Sequence, residues 1–389
     1  MSTVIARPSI RVRHAQDGLA VGVALAVAAG AVAIGLAHGW RLGVLLLVGA
    51  LLGFSLYHAA FGFTSGWRGF VTRRRGAGLR AQCLLLALAG LLLLPPIAAG
   101  SLLGQPVSGF VFPVGLSLLV GAALFGLGMQ LAGGCGSGTL YTVGGGSVRM
   151  VAALAAFVAG SLLGSIHLPW WLTLPSLPPL FLPAHLGLWG TLALQTALLA
   201  ALALLVRSRE SKPPTATAGP APALLRGPWP PWWGAVALAV LGLPVLWLNG
   251  HPWGITSGFA FWGAKLARAA GLPVTDWPGW HGADGYLALP VFAHDVSVSN
   301  VGIMLGALLA ASLAGRFAPS LRIGRRPLAA ALLGGFLMGY GARLSFGCNI
   351  GALLGGIASG SLHGWVWLPC AFAGSLLGIR LRPSFGLAD

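Results

Sequence analysis

The sequence predicts an all-α polytopic membrane protein: about ten membrane spans, short re-entrant helices, and two inverted repeats related by a pseudo-two-fold axis. Three observations predict it. The chain holds too little charge to cover a water-facing surface, its apolar residues fall into runs of span length, and two Gly-rich motifs recur in the same order.

Of 389 residues, 57% are hydrophobic and 7% charged, so lipid is the solvent that such a surface tolerates. The 61 glycines and 15 tryptophans agree, since glycine lets membrane helices approach closely and Trp settles at the interface. A span needs roughly 20 apolar residues. Runs of about that length lie at 18–38, 42–58, 80–100, 113–132, 149–166, 184–206, 232–248, 297–315, 327–344 and 364–380. The first continues to full span length and reads as a membrane helix rather than a cleaved signal.

Basic residues mark every second junction. Arg7, Arg11 and Arg13 precede the first run; Arg73, Arg74, Arg75 and Arg80 follow the second; Arg149 follows the fourth. Arg207, Arg209 and Lys212 follow the sixth, Arg316, Arg322, Arg325 and Arg326 the eighth, and Arg380 and Arg382 the tenth. This is the positive-inside pattern that ten spans with both termini in the cytoplasm would produce, and it accounts for the net charge of +17 without nucleic acid. The expected division is a tail at 1–17, a first membrane half at 18–206, a Pro- and Ala-rich cytoplasmic linker at 207–231, a second half at 232–382, and a tail at 383–389.

No acidic residue falls inside an apolar run, which argues against a carboxylate relay for protons or cations and favours an anionic or neutral solute. The spacing of Cys83, Cys135, Cys348 and Cys370 fits no zinc or haem pattern; no metal and no cofactor is expected.

The motif Gly62-Phe63-Thr64-Ser65-Gly66-Trp67 recurs as Gly254-Ile255-Thr256-Ser257-Gly258-Phe259, and GLGMQLAGGCGSG from Gly126 recurs as GYGARLSFGCNIG from Gly339. Counting spans from an inside N-terminus, the two members of each pair lie on runs of opposite direction. Runs two to five then pair with runs seven to ten in inverted orientation, and the solute site of such a transporter lies where the halves meet.

Four glycines within residues 132–139 break the helix, and backbone freed inside a membrane must line a cavity or lie buried in protein. Short helices are expected from about Thr139 and from about Ile350. Their N-termini offer free N–H groups and a positive dipole end to an anion, and that field acts on a thiol at the break. Cys135 with Gly134 and Gly136, and Cys348 with Gly347 and Asn349, are therefore candidates to line the solute path; the alternative is that each cysteine is a small residue at a tight crossing. The TSG segments read as re-entrant helices, in which Thr64, Ser65, Thr256 and Ser257 cap the helix or touch the solute. Arg343, at the position of Gln130, either attracts an anion or snorkels to the interface. Lys265 and Arg268 are expected to line an outer vestibule, with the loop from Gly271 to Asp295 as its cap.

GGCGSG at 133–138, FGCNIG at 346–351 and the paired FGFTSGW and WGITSGF segments resemble the YeeE/YedE family of sulfur-compound permeases, over roughly Leu42 to Leu381. The resemblance implies thiosulfate uptake through an hourglass-shaped protein, with the anion passed between thiols by transient S–H···S contacts. Cys135 and Cys348 match the family's two central cysteines. The third lies in a Phe-Cys-Phe segment of the family; here that segment is Phe61-Gly62-Phe63, so Gly62 stands where the thiol would be.

The expectation is thus a transporter, not an enzyme, for a small sulfur anion, most readily thiosulfate. Other sulfur or selenium species remain open, as do a thiol oxidoreductase cycling Cys135 with Cys348 and a docking subunit for a cytoplasmic sulfur-carrier protein. The chain has no phosphate-binding GxxxxGK[ST] loop of its own.

Overall fold

The computed structural model describes residues 10–211 and 223–387. The first residues of the N-terminal tail, the middle of the linker with Lys212, and the last two residues of the C-terminal tail lie outside them.

Apolar runs of span length become helices because every backbone N–H and C=O is satisfied within the segment. In chain order the helices are α1 (Ile10–His38), α2 (Trp40–His58), α3 (Phe63–Arg73), α4 (Ala77–Ala99), α5 (Leu116–Ala132), α6 (Gly136–Gly144), α7 (Val148–Trp171), α8 (Pro183–Ser208) and α9 (Pro231–Asn249). They continue as α10 (Thr256–Ala269), α11 (Asp284–Ala288), α12 (Asp295–Leu313), α13 (Arg325–Leu344), α14 (Gly355–Ala358, entered through a π-helical turn, Asn349–Leu354) and α15 (Leu362–Leu381). Among the described residues ten segments are long and apolar enough to cross a membrane, and they coincide with the ten runs read from the sequence. The β structure is two short antiparallel pairings, 101–102 with 105–106 and 114–115 with 176–177.

The spans pack through small residues. Helix α13 lies against α5 and α7, α15 against α5, α12 against α2, and α9 against α4. At the α5–α15 crossing, a Cβ on Gly126 would collide with the Ala371 carbonyl, and one on Gly374 with the Ala123 carbonyl. Such contacts replace the hydrophobic driving force that lipid does not supply. Exposed Leu, Val and Trp side chains, such as Leu25, Leu36 and Trp189, cover the outside, as a lipid-facing surface requires.

Helix α3 begins after Gly62 in extended backbone and stops at Arg74 in the left-handed region (φ 51°). At 11 residues it is too short to span, and so is α10 at 14 residues. The segment after α10 folds back on it: Val274, Trp280 and Leu287 bury against Ala260, Phe261 and Ala264.

Candidate functional site

The two cysteines sit at the two breaks. Helix α5 ends on Gly133 in the left-handed region (φ 95°), and Cys135 takes extended backbone as the N-cap of α6. Its carbonyl accepts from both the amide and the hydroxyl of Thr139, each at 2.8 Å, which locks the new helix onto the break. At the second break Phe346 adopts φ 60°, strained for a non-glycine residue, and Cys348 caps the π-helical turn in the same extended conformation. Its sulfur accepts from the Ile350 amide at 3.4 Å.

The breaks touch. A Cβ placed on Gly136 would stand 3.0 Å from Cys348 Sγ and 3.6 Å from Ile255 Cγ2, so the sulfur of one break rests on the bare Cα beside the other cysteine. The amides of Gly138 and Phe63 face the Cys135 sulfur, and Ser137 Oγ lies 3.5 Å from it. Phe63 opens α3 and Ile255 precedes α10, so the start of one TSG helix meets Cys135 and the entry to the other meets Gly136. Both thiols are free and at most 1% exposed.

An open hollow lies at the start of each TSG helix. One, of about 300 Å³, is lined by Gly62, Ser65, Gln82 and the arginines 68, 73 and 75. The other, of about 380 Å³, is lined by Ser257, His251, Tyr286, His294 and Asp295. In the second, His251 Nε2 lies 3.1 Å from Asp295 Oδ2. Burial alone would push His251 down, but the hydrogen bond and charge of Asp295, with the Pro252 carbonyl, hold it above its ordinary value. Burial pushes His294 down and Tyr286 up to about 12. His294 Nδ1 accepts from the Ser297 amide at 3.2 Å, and its other nitrogen is 2.8 Å from the Tyr286 hydroxyl.

The structure sets the Cys348 sulfur against Gly136, beside Cys135, and puts Gly62 and Ser65 on one hollow and Ser257 on the other; Gly134 packs within its own break against Gly138 and Thr139, Gly347 packs against Gly351 and Ala352, and Asn349 is fully buried next to Cys348. Thr64 and Thr256 do not cap their helices. Neither α3 nor α10 has a side-chain cap, the Thr64 hydroxyl is buried without a partner, and Ser65 instead donates to the Gly62 carbonyl. Arg343 is not brought to the cysteines. It packs over Gly164, its Nε is buried without a partner, and it lies within electrostatic reach of Tyr286. Lys265 is tied to the carbonyls of Leu287 and Leu289 rather than turned to a vestibule. Among the described residues no group of His, Cys, Asp and Glu is arranged to hold a metal ion.

Three carboxamides that the sequence does not single out hold the breaks. Gln82 accepts from Trp67 Nε1 and donates to the Gly62 carbonyl at 3.1 Å, while Asn300 Nδ2 donates to the Ile255 carbonyl at 3.0 Å; each fastens the entry to one TSG helix. Gln130, fully buried, donates to the Thr64 carbonyl and to Ser375 Oγ, tying α5 to α3 and α15. A lone carboxamide within an apolar run is the signal that could have found them.

Spans of this number, interrupted by half-helices whose N-terminal amides converge on a buried centre, define a multi-pass membrane transporter. Over residues 58–377 the chain matches the family described as sulphur transport, and it belongs to that family. It is 30% identical over 346 residues to the thiosulfate transporter TsuA of Spirochaeta thermophila, covering 82% of this chain and 93% of that one. With the thiosulfate transporter TsuA of Escherichia coli it shares 27% identity over 341 residues, 83% of this chain and 89% of that one. The probable transporter YedE of Escherichia coli is 29% identical over 165 residues, 40% of this chain and 39% of that one.

Proposed function

We propose that this protein takes up thiosulfate across the bacterial inner membrane and passes it between the thiols of Cys135 and Cys348. The observation that carries the reading is the contact of the breaks: the Cys348 sulfur rests on Gly136, next to Cys135, between two hollows that each begin at a TSG helix. Thiosulfate is a dianion with one soft sulfur and three oxygens. A thiol is a weak donor suited to the sulfur, and amides at helix starts suit the oxygens. With Gly62 in place of a third thiol, the relay has two stations, and the first hollow offers Ser65, Gln82 and arginines instead.

The packing supports an inverted two-fold arrangement, and the basic junctions support a cytoplasmic placement of both termini. Exchanging α2 with α9, α4 with α12, α5 with α13 and α7 with α15 turns the α2–α12 packing into α9–α4, and α7–α13 into α15–α5. In this arrangement the arginine-lined hollow faces the cytoplasm, where it also suits an acidic sulfur-carrier protein as a docking partner.

The test is uptake of labelled thiosulfate into cells that lack other routes. The wild type accumulates label and the Cys135→Ala, Cys348→Ala double variant does not; undiminished uptake by the double variant removes the thiols from the mechanism.

A further inference from the structure

Asn349 is fully buried, and neither its Oδ1 nor its Nδ2 has a hydrogen-bond partner. A carboxamide holds two donors and an acceptor, and buried polar groups in folded proteins are nearly always satisfied. Asn349 also opens a π-helical turn, a form that recurs at functional sites. In the paired motifs GGCGSG and FGCNIG it stands where Gly136 stands in the first break. Gly136 is the residue on which the Cys348 sulfur rests. Exchange of the two breaks turns that contact into one between Asn349 and the Cys135 side of the constriction.

We propose that the Asn349 carboxamide binds the oxygen end of the transported anion between the two thiols; the inference rests on the thiosulfate reading above. Its Nδ2 donates to a sulfonate oxygen while a thiol meets the terminal sulfur. Its Oδ1, which an anion cannot satisfy, accepts from a thiol S–H or from a water that accompanies the solute. A neutral donor suits a transported ion, which must bind well enough to enter and weakly enough to leave; a buried cation here would hold a dianion fast. The matched Gly136 presents no polar side chain, so the solute meets one polar wall and one bare one.

The experiment compares wild type with Asn349→Leu, which keeps the branching of the side chain and removes both polar atoms. Labelled thiosulfate uptake is measured against concentration, alongside the melting temperature of each purified protein with and without thiosulfate. The proposal expects KM to rise by about tenfold or more, the loss expected for hydrogen bonds to a charged group. It also expects the ligand-free melting temperature to hold or rise, because a partnerless buried amide has been replaced by apolar surface, and thiosulfate no longer to raise it. An unchanged KM overturns the proposal, whatever happens to stability. Should the leucine variant not accumulate in membranes, Asn349→Ala is read for KM in the same way, since KM does not depend on the amount of protein. If the wild type takes up no thiosulfate, the substrate reading falls and this one with it. If the wild type transports thiosulfate and the Asn349 variants match its KM, this inference falls alone.

Discussion

Gly136→Ala separates a solute path from a tight helix crossing. The added Cβ would lie 3.0 Å from Cys348 Sγ, 3.5 Å from Cys348 Cβ and 3.6 Å from Ile255 Cγ2. Relaxed contacts of this kind lie at about 3.5–4.0 Å, so the sulfur must yield by roughly half an ångström. Overpacking of this kind costs about 1–3 kcal/mol. Alanine in a helix recovers roughly 0.5–1 kcal/mol of the conformational entropy that glycine loses. The net loss is therefore about 0–2.5 kcal/mol, and at about 2–4 °C per kcal/mol the melting temperature falls by about 10 °C at most. The methyl group nevertheless fills the space left bare over the Cys348 sulfur, and thiosulfate uptake per molecule of membrane protein is expected to fall about tenfold or more. Gly242→Ala in α9 is the control: its Cβ meets Leu93 Cδ1 at 3.5 Å, an ordinary contact away from the breaks, and should leave uptake near wild type. Wild-type uptake by Gly136→Ala would show that nothing passes between Gly136 and Cys348.

Gly62→Cys puts a thiol on the 300 Å³ hollow at a position whose Cβ stands 2.8 Å from Ser65 Oγ, which can rotate away, and 3.6 Å from Tyr141 Oη. The variant is expected to fold and to react with a small water-soluble maleimide that leaves Cys135 and Cys348 unlabelled; failure of Gly62→Cys to react would mean that this hollow is closed to water. The His251–Asp295 pair carries a pH dependence. Because the folded protein holds the His251 proton more tightly than the unfolded chain, the pair's stabilisation is fully present below the ordinary value of 6.5 and fades as pH rises through the higher folded value. Melting temperatures taken on both sides of that value should show the decline in the wild type and a flatter profile in Asp295→Asn; parallel profiles contradict the assignment.

The spans were legible because lipid imposes one rule, a run of roughly 20 apolar residues, and the chain obeys it from α1 to α15. The breaks were legible for a related reason: four glycines within residues 132–139 exceed what close helix packing needs and free backbone that must then be buried in protein. What the sequence does not display is what holds the freed backbone. Gln82 finds the Gly62 carbonyl 20 residues away, and Asn300 finds Ile255 45 residues away. Nothing local in either run indicates such a partner. The threonines misled for the opposite reason. A Thr near a helix start is a good local cap, but the tertiary contacts of α3 and α10 put the start one or two residues earlier, and Ser65 took the Gly62 carbonyl. Lys265 looked free because the carbonyls that tie it, at Leu287 and Leu289, lie beyond a loop without a repeat partner.

Charge is distributed along the proposed path in a way that bears on its mechanism. Arginines line one hollow, and a histidine–aspartate pair lies in the other. At the contact of the breaks the groups are neutral: two thiols and Gly136, with the proposed Asn349 beside them. Moving a dianion through such a centre would be prohibitive if side chains alone faced it. The centre is instead ringed by backbone amides, those of Phe63 and Gly138 at Cys135 and that of Ile350 at Cys348, at the starts of three half-helices. Their positive ends are fixed by the fold, need no counter-ion, and weaken within one turn. In the proposed relay an anion held by them and by weak thiol donors would lose little on stepping from Cys135 to Cys348, because a helix-start amide receives it on the other side as well. The paired breaks therefore give a low, nearly level track where a buried arginine would give a trap, and Arg343, placed away from the cysteines over Gly164, is consistent with that selection.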